Sequence, residues 1–231
     1  MDTTYTPKVY AVGDIHGCFK TLQQAIKVIG IREEDTLIVC GDVVDRGPNI
    51  KDCLDFLLNR PNTEITIGNH DYAFIETVLD PVGFVKWSFM RKQGLNTTLL
   101  QLGPEARKYA EALKDKCVHI ANYEAPDGKK YVMCHSTWNW HEGEEFNVEH
   151  TWERWYEPKE NPNLVYANYK GPIIVHGHTP VGRGSEFEEY VNGKLTGINL
   201  DGGCCYRQEG VSCLRVMCLT DGKVYEQPNL D

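Results

Sequence analysis

The 231 residues carry 24 Lys and Arg against 33 Asp and Glu, a formal charge of −9, with 41% hydrophobic and 25% charged side chains. A chain of this length and balance can bury its own core, which excludes wholesale disorder, and its acidity disfavours broad binding to a nucleic-acid polymer or an anionic membrane. No apolar run approaches the ~18 residues of a membrane span, the opening residues lack a signal-peptide profile, and nine cysteines without a Cys-x-x-Cys pair read as free thiols, so a soluble cytoplasmic protein is expected.

In chain order the pattern is strand, turn, helix, repeated. Lys8 to Val12 is a β-prone run that stops at Gly13-Asp14, and a helix follows from Phe19 to Ile29 with Gly30 as its stop signal. Thr36 to Cys40 is a second buried strand ending at Gly41-Asp42, followed by a helix over about Ile50 to Leu58. A third strand, Glu64 to Ile67, runs into Gly68-Asn69-His70-Asp71. Tyr72 to Lys116 is mostly helical in pattern, with breaks at Pro81, Gly94 and Gly103-Pro104. Strands return at Lys130 to Cys134, before His135, and at Pro172 to Val175, before His176-Gly177-His178. Asn192-Gly193 marks a turn ahead of Leu195 to Leu200, and Val211 to Leu219 with Lys223 to Glu226 form a closing hairpin around Asp221-Gly222. The residues alone therefore predict an α/β protein, a mixed sheet with helices on both faces, in one domain spanning 1–231 with a helical insertion at about 72–116.

The chemistry collects at strand ends, where loops of an α/β sheet converge on one crevice. Asp14 with His16, Asp42 with Asp45, Asn69 with His70, His135, and His178 each follow a β-prone run. Singly, each reads as a turn former or a hydrogen-bonded histidine; together they are a set of oxygen and nitrogen donors for divalent metal. Asp14, His16, Asp42, Asn69, His135 and His178 make six donors without a cysteine, enough for two ions if Asp42 bridges them. Two such ions activate water and clamp both oxygens of a phosphoryl displacement. Arg46 suits bidentate contact with phosphate oxygens. His70 is placed to protonate the leaving group, with Asp45 holding the imidazole.

These strings, Gly13-Asp14-Ile15-His16-Gly17, Gly41-Asp42-Val43-Val44-Asp45-Arg46-Gly47-Pro48, Gly68-Asn69-His70-Asp71 and Gly177-His178-Thr179-Pro180, resemble the signature blocks of the phosphoprotein phosphatase (PPP) family of metallophosphoesterases, closest to its short bacterial and phage branch. The resemblance implies a calcineurin-like metallophosphoesterase fold with mixed β-sheets flanked by helices. It implies a first metal on Asp14, His16 and Asp42, a second on Asp42, Asn69, His135 and His178, an acid pair of His70 with Asp45, and a phosphate clamp at Arg46. Trp152-Glu153-Arg154 is similar to a segment that supplies a second phosphate-contacting arginine in the phage enzymes, which points to Arg154. Manganese is the expected metal by that likeness, with iron or zinc also suited to the donors.

The sequence departs from that family at several points. Ile67 stands where its protein phosphatases commonly carry Arg, Asp71 replaces the usual Glu, and Ser136-Thr137 follows His135 in place of Ala-Gly. The tail around Asp201-Gly202-Gly203-Cys204-Cys205-Tyr206 is similar to that of bacterial symmetrical dinucleoside tetraphosphatases, which, however, commonly lack the residue that is here Asp45. Two readings stand for the aromatic-rich loop at about 137–170, with Trp138, Trp140, Trp152 and Trp155 among its members: a wall that stacks a nucleobase, or a cluster packing a long loop. Likewise Cys204-Cys205 reads as two buried thiols or a redox pair, and His176 as a packed strand-end residue or a further phosphate contact.

The main expectation is a phosphomonoesterase, foremost a Ser/Thr protein phosphatase, in which hydroxide generated on the metals attacks phosphorus in line without a phosphoenzyme. The alternative is a hydrolase of dinucleoside tetraphosphates. The substrate is thus a phosphorylated protein or a small phosphate ester or nucleotide. A silent binding module would show a lost ligand or a broken acid pair, and all of these residues are retained. A P-loop enzyme is disfavoured because no G-x-x-x-x-G-K-[ST] occurs.

Overall fold

The structure is a computed structural model and describes residues 5–80, 82–136, 147–152, 171–191, 193–208 and 212–231. Three strand–helix units open the chain: β1 (Val9–Val12) with α1 (Phe19–Ile29), β2 (Thr36–Val39) with α2 (Ile50–Asn59), and β3 (Thr63–Thr66) with α3 (Asn69–Leu79). The helices α4 (Gly83–Lys86), α5 (Leu95–Leu102) and α6 (Ala106–Lys116) follow, then β4 (Cys117–Val118), β5 (Ala121–Glu124) and β6 (Lys130–Met133). The chain closes with β7 (Ile173–His176), β8 (Glu188–Val191), β9 (Lys194–Asn199), β10 (Cys213–Cys218) and β11 (Val224–Pro228).

The strands form two sheets. The first has the order β11-β10-β1-β2-β3-β4, and the second β5-β6-β7-β9-β8. In the first, β1 to β4 are parallel and in step, Val12 opposite Val39 and Val39 opposite Ile65, while β10 and β11 join antiparallel. In the second, β6, β7 and β9 are parallel, with Met133 opposite Val175 and Val175 opposite Ile198. Parallel strands in step end at one edge, so the loops that follow them are delivered to a common rim.

Side chains alternate between the two faces along each central strand with the two-residue period of a pleat. Tyr10, Val12, Leu37, Val39 and Ile65 pack under the helices, against Leu22, Leu54 and Phe74. The intervening Ala11, Ile38 and Cys40 turn the other way and pack against Met133, Val175 and Ile198 of the second sheet. Both faces of the first sheet are thus covered, one by helices and the other by a sheet. This corrects the expectation, from the residues alone, of one sheet with helices on both faces. Its source is visible in β5 and β8, which the sequence reading missed: β5 reads Ala-Asn-Tyr-Glu with one buried residue, and both lie at the edges of the second sheet, where apolar alternation is weak.

Tertiary contacts also replace a local signal at α1. Cys18 precedes this helix and offers no side-chain cap. Instead the Asp231 carboxylate accepts from the backbone N–H of Lys20 (3.2 Å) and Thr21 (3.0 Å) and from the Thr21 hydroxyl (2.7 Å), taking the place of an N-cap residue. Gly30, at φ 79°, closes the other end of the helix in the left-handed conformation. Among the described residues no helix is long and apolar enough to cross a membrane.

Candidate active site

Asp14 and His16 lie just beyond β1, Asp42, Asp45 and Arg46 beyond β2, and Asn69 and His70 at the start of α3. The first two loops are zipped together: the N–H groups of Ile15 and His16 donate to Asp42 O, at 3.2 and 2.9 Å, and that of Gly17 to Val43 O at 2.9 Å. Five of the expected site residues have left-handed backbones, His16 (φ 44°), Asp42 (49°), Asp45 (71°), Arg46 (66°) and His178 (72°). For non-glycine residues each such angle costs about 1 kcal/mol or more and persists where surrounding contacts enforce it, as happens at functional sites. Gly177 allows the closest approach, since a Cβ there would overlap Asp14 Oδ1.

The buried side chains meet at Asp42. Its Oδ2 lies 3.5 Å from His16 Nε2 and 3.5 Å from His135 Nε2, and its Oδ1 accepts the His70 N–H at 3.0 Å. Two donor triads share it, His16–Asp42–His70 and Asp14–Asp42–His135. The imidazoles are oriented from behind: His16 Nδ1 donates to Val44 O (2.7 Å) and His135 Nδ1 to Cys40 O (2.8 Å). Each therefore turns its Nε2 lone pair into the cluster, as metal-ligating histidines do. His135 Nε2 faces Asn69 Oδ1 at 2.9 Å, and His178 Nδ1 lies 3.1 Å from the same oxygen. Asp14 accepts the His178 N–H at 3.1–3.2 Å. All six residues expected as metal ligands are thus brought together.

The charge balance fits a cation. Asp14, Asp42 and Asp201 are each 2–3% exposed. Burial and the charges of Asp201 and Asp42 push the Asp14 carboxyl well up, and burial pushes Asp201 up to about 6. Burial also acts to raise Asp42, but positive charge around it, that of His135, His70 and His16 when protonated and of the Arg46 guanidinium, holds it below the usual carboxylate range. Burial depresses His16 and His135 and keeps their rings neutral. Neutral imidazoles and crowded carboxylates with no thiolate are the donor chemistry of a hard or borderline divalent metal.

Arg46 faces this cluster, Nη1 donating to His16 Nε2 (2.6 Å) and Nη2 to His70 Nε2 (2.9 Å). On its other side His70 donates from Nδ1 to Asp45 Oδ2 at 2.6 Å, with both residues buried. The His16 lone pair serves one positive partner at a time, the guanidinium or a metal.

Three residues absent from the expected site hold it in place. Asp71, fully buried, accepts from the N–H groups of Val43 (3.0 Å), Val44 (3.3 Å) and Gly68 (3.2 Å), tying the Asp42 loop to α3. Burial and the Asp42 charge raise its carboxyl to about 7. Asp201 accepts the Gly203 N–H at 2.8 Å beside Asp14; its Asp-Gly-Gly string at a strand end is the same signal that marked the other loops and would have found it. Thr98 bonds to Asp45 from α5, and no motif announces it.

The remaining expectations divide. Trp152 stacks on Trp87 (6.5 Å, 6°) and meets the His178 ring edge-on at 6.2 Å. Arg154, with Trp138, Trp140 and Trp155 of the aromatic loop, lies outside the described residues. His176 is packed, its Nε2 3.1 Å from both Glu189 oxygens. All nine cysteines are free, and Cys204 and Cys205 stay protonated thiols, the first through its contact with Cys18 and burial, the second pushed by burial up to about 12. A cavity of about 420 Å³ is lined by Ile67, Tyr72, Ile75, Leu79 and Cys117 together with the polar Glu76, Asp80, Lys114 and His119, and by none of the residues of the donor cluster.

Two facing sheets with a buried donor cluster on the rim define a metallophosphoesterase, and the chain belongs to the calcineurin-like phosphoesterase family, whose model matches residues 7–200. The symmetrical bis(5'-nucleosyl)-tetraphosphatase of Neisseria meningitidis serogroup A is 34% identical over 107 residues, 46% of this chain and 36% of that protein. The enzyme of the same name from Legionella pneumophila (strain Corby) is 44% identical over 64 residues, 27% of this chain and 23% of that protein. The chain thus spans little more than a third, or less, of the length of these curated relatives. Among solved structures, a protein proposed as a diadenosine tetraphosphatase superposes with a TM-score of 0.68 at 19% identity, covering 99% of this chain and 96% of the other. A Saccharomyces cerevisiae protein serine/threonine phosphatase superposes with a TM-score of 0.61 at 14% identity, covering 100% and 82%. At these identities the structural likeness is one of fold.

Proposed function

We propose that the protein hydrolyses a phosphoanhydride of a dinucleoside tetraphosphate, splitting it symmetrically into two nucleoside diphosphates. The observation that carries this reading is the similarity, at 34–44% identity, to enzymes named for that reaction.

In this reading Asp14, His16 and Asp42 hold one divalent metal and Asp42, Asn69, His135 and His178 a second, with manganese preferred and iron or zinc compatible. The metals supply Lewis-acid activation of water and of the phosphoryl oxygens. Arg46 binds the phosphoryl oxygens through its two outer nitrogens, which its approach to His16 and His70 already aims into the site. His70 delivers a proton from Nε2 to the departing oxygen, while Asp45 holds Nδ1 and stabilises the imidazolium. Arg154 is assigned as a second phosphate contact on sequence alone.

One observation favours a second reading. A nucleoside diphosphate is a less basic leaving group than an alkoxide and gains less from an acid, whereas an alkoxide departs poorly unless protonated. The buried Asp45–His70 pair at 2.6 Å suits the latter, which keeps phosphomonoesters, phosphoserine or phosphothreonine among them, as the second substrate class. Turnover of diadenosine tetraphosphate and of a phosphothreonine peptide in one manganese buffer separates the two. The expected result is preferential conversion of the tetraphosphate to ADP alone. Preference for the phosphopeptide, or release of ATP with AMP, overturns the first reading.

A further inference from the structure

Helix α5 grips the loop that carries Asp45 and Arg46. Leu95 and Leu102 anchor the helix in the core, and side chains one turn apart reach across. Gln101 donates from Nε2 to Gly47 O (2.9 Å) and accepts the Ile50 N–H (2.8 Å). Thr98 Oγ1 accepts the Asp45 N–H at 2.9 Å and donates its own proton to Asp45 Oδ1, both residues being fully buried. At the start of the helix, Gln93 O accepts from Arg46 Nε (3.4 Å), and a Cβ on Gly94 would stand 2.6 Å from Arg46 N. Among the described residues, the hydrogen bonds to the Asp45 carboxylate come from Thr98 on one oxygen and His70 on the other.

Resting on the reading of His70 as the acid, we propose that Thr98 is a positioning residue: its hydroxyl fixes the rotation of the Asp45 carboxylate so that Oδ2 faces His70 Nδ1. A carboxylate bound at one oxygen alone can turn about its Cβ–Cγ bond, and the imidazole it holds turns with it. With the hydroxyl in place, Oδ1 is engaged and Oδ2 has a single direction. The helical stretch between the third strand and β4 thus sets the acid rather than merely covering the sheet.

The test uses the full chain loaded with manganese for kinetics and with magnesium for proton NMR, in wild type, Thr98→Val, Thr98→Ser and His70→Asn, with the better substrate of the assay above. The downfield imidazole proton that His70→Asn removes is assigned to His70 Nδ1–H. Thr98→Val is expected to shift or broaden that signal and to lower kcat about 10- to 100-fold, part of the range of general acid catalysis, with KM and metal content held. Thr98→Ser, which returns the hydroxyl, is expected to restore both, and if Thr98→Val does not fold, Thr98→Ser against Thr98→Ala makes the same comparison. An unchanged signal and kcat without the hydroxyl, beside a crippled His70→Asn, overturns the role of Thr98 alone. Wild-type kcat in His70→Asn overturns the acid reading and the proposal with it.

Discussion

The two sheets contribute unequally to the site. Loops of the first sheet carry the expected proton donor, its carboxylate and the phosphate arginine, and they are clamped by one another, by Asp71 and by α5. Loops of the second sheet contribute His135, His178 and Asp201; His178 N–H meets Asp14, His135 Nδ1 donates to Cys40 O, and Arg215 of β10 donates to Asp201 O and Gly182 O. The proton donor and the phosphate arginine are therefore assigned to one half, while the donor cluster is completed only where the halves meet. Asp42 belongs to both triads, so changes at it and at its neighbours on either side should have different signatures.

The largest effect is expected at that shared residue. Asp42→Asn should lower turnover by on the order of 10⁴-fold or more and abolish binding of both metals, measured by elemental analysis of the purified protein. His70→Asn, beside the first sheet, should cost about 10²- to 10⁴-fold with metal content intact; equal loss of metal in the two variants would make His70 a ligand instead. His135→Asn, on the second sheet, should remove about one metal equivalent and leave the other, and loss of both would mean that the two proposed ligand sets are not separable.

The same contrast has a pH dependence. Burial raises Asp71 to about 7 and Asp201 to about 6, above the roughly 4 of an unfolded carboxyl. Between those values the folded metal-free chain holds protons that the unfolded chain has lost, so this contribution to stability falls as pH rises through the window. His16 and His135, depressed by burial, act in the opposite sense, with stability lost as pH falls below about 6.5. A bound metal takes the place of the proton that burial favours on Asp14, and protonation of His16 and His135 competes with it. The rise in melting temperature on adding manganese should therefore be larger at about pH 7.5 than at about pH 5.5, and equal rises would mean that the carboxylates do not bind it. Smaller still is the distant cap on α1: Asp231→Ala should cost about 1 kcal/mol of stability in denaturant melts, with kcat unchanged.

The sequence by itself determined the strand-to-loop punctuation of the first sheet and the identity of the donor-bearing loops. Hydrophobic period and glycine position are local properties, and Asp14, His16, Asp42, Asn69, His135 and His178 each follow a run of β-prone residues. It also held the signal for Asp201, in the same form. Only the tertiary structure decided that the partner of the first sheet is a second sheet and that β5 and β8 are its edges, because half-exposed polar strands carry no apolar alternation. The same holds for the supporting residues. Thr98 lies 53 residues from Asp45, and Asp231 lies 210 from Thr21, separations at which a hydroxyl in a helix or a carboxylate near the last strand has no pattern to mark its partner. Their roles arise from packing that places a polar atom against an unmet backbone or carboxylate group, a condition created only when distant parts of the chain are buried together.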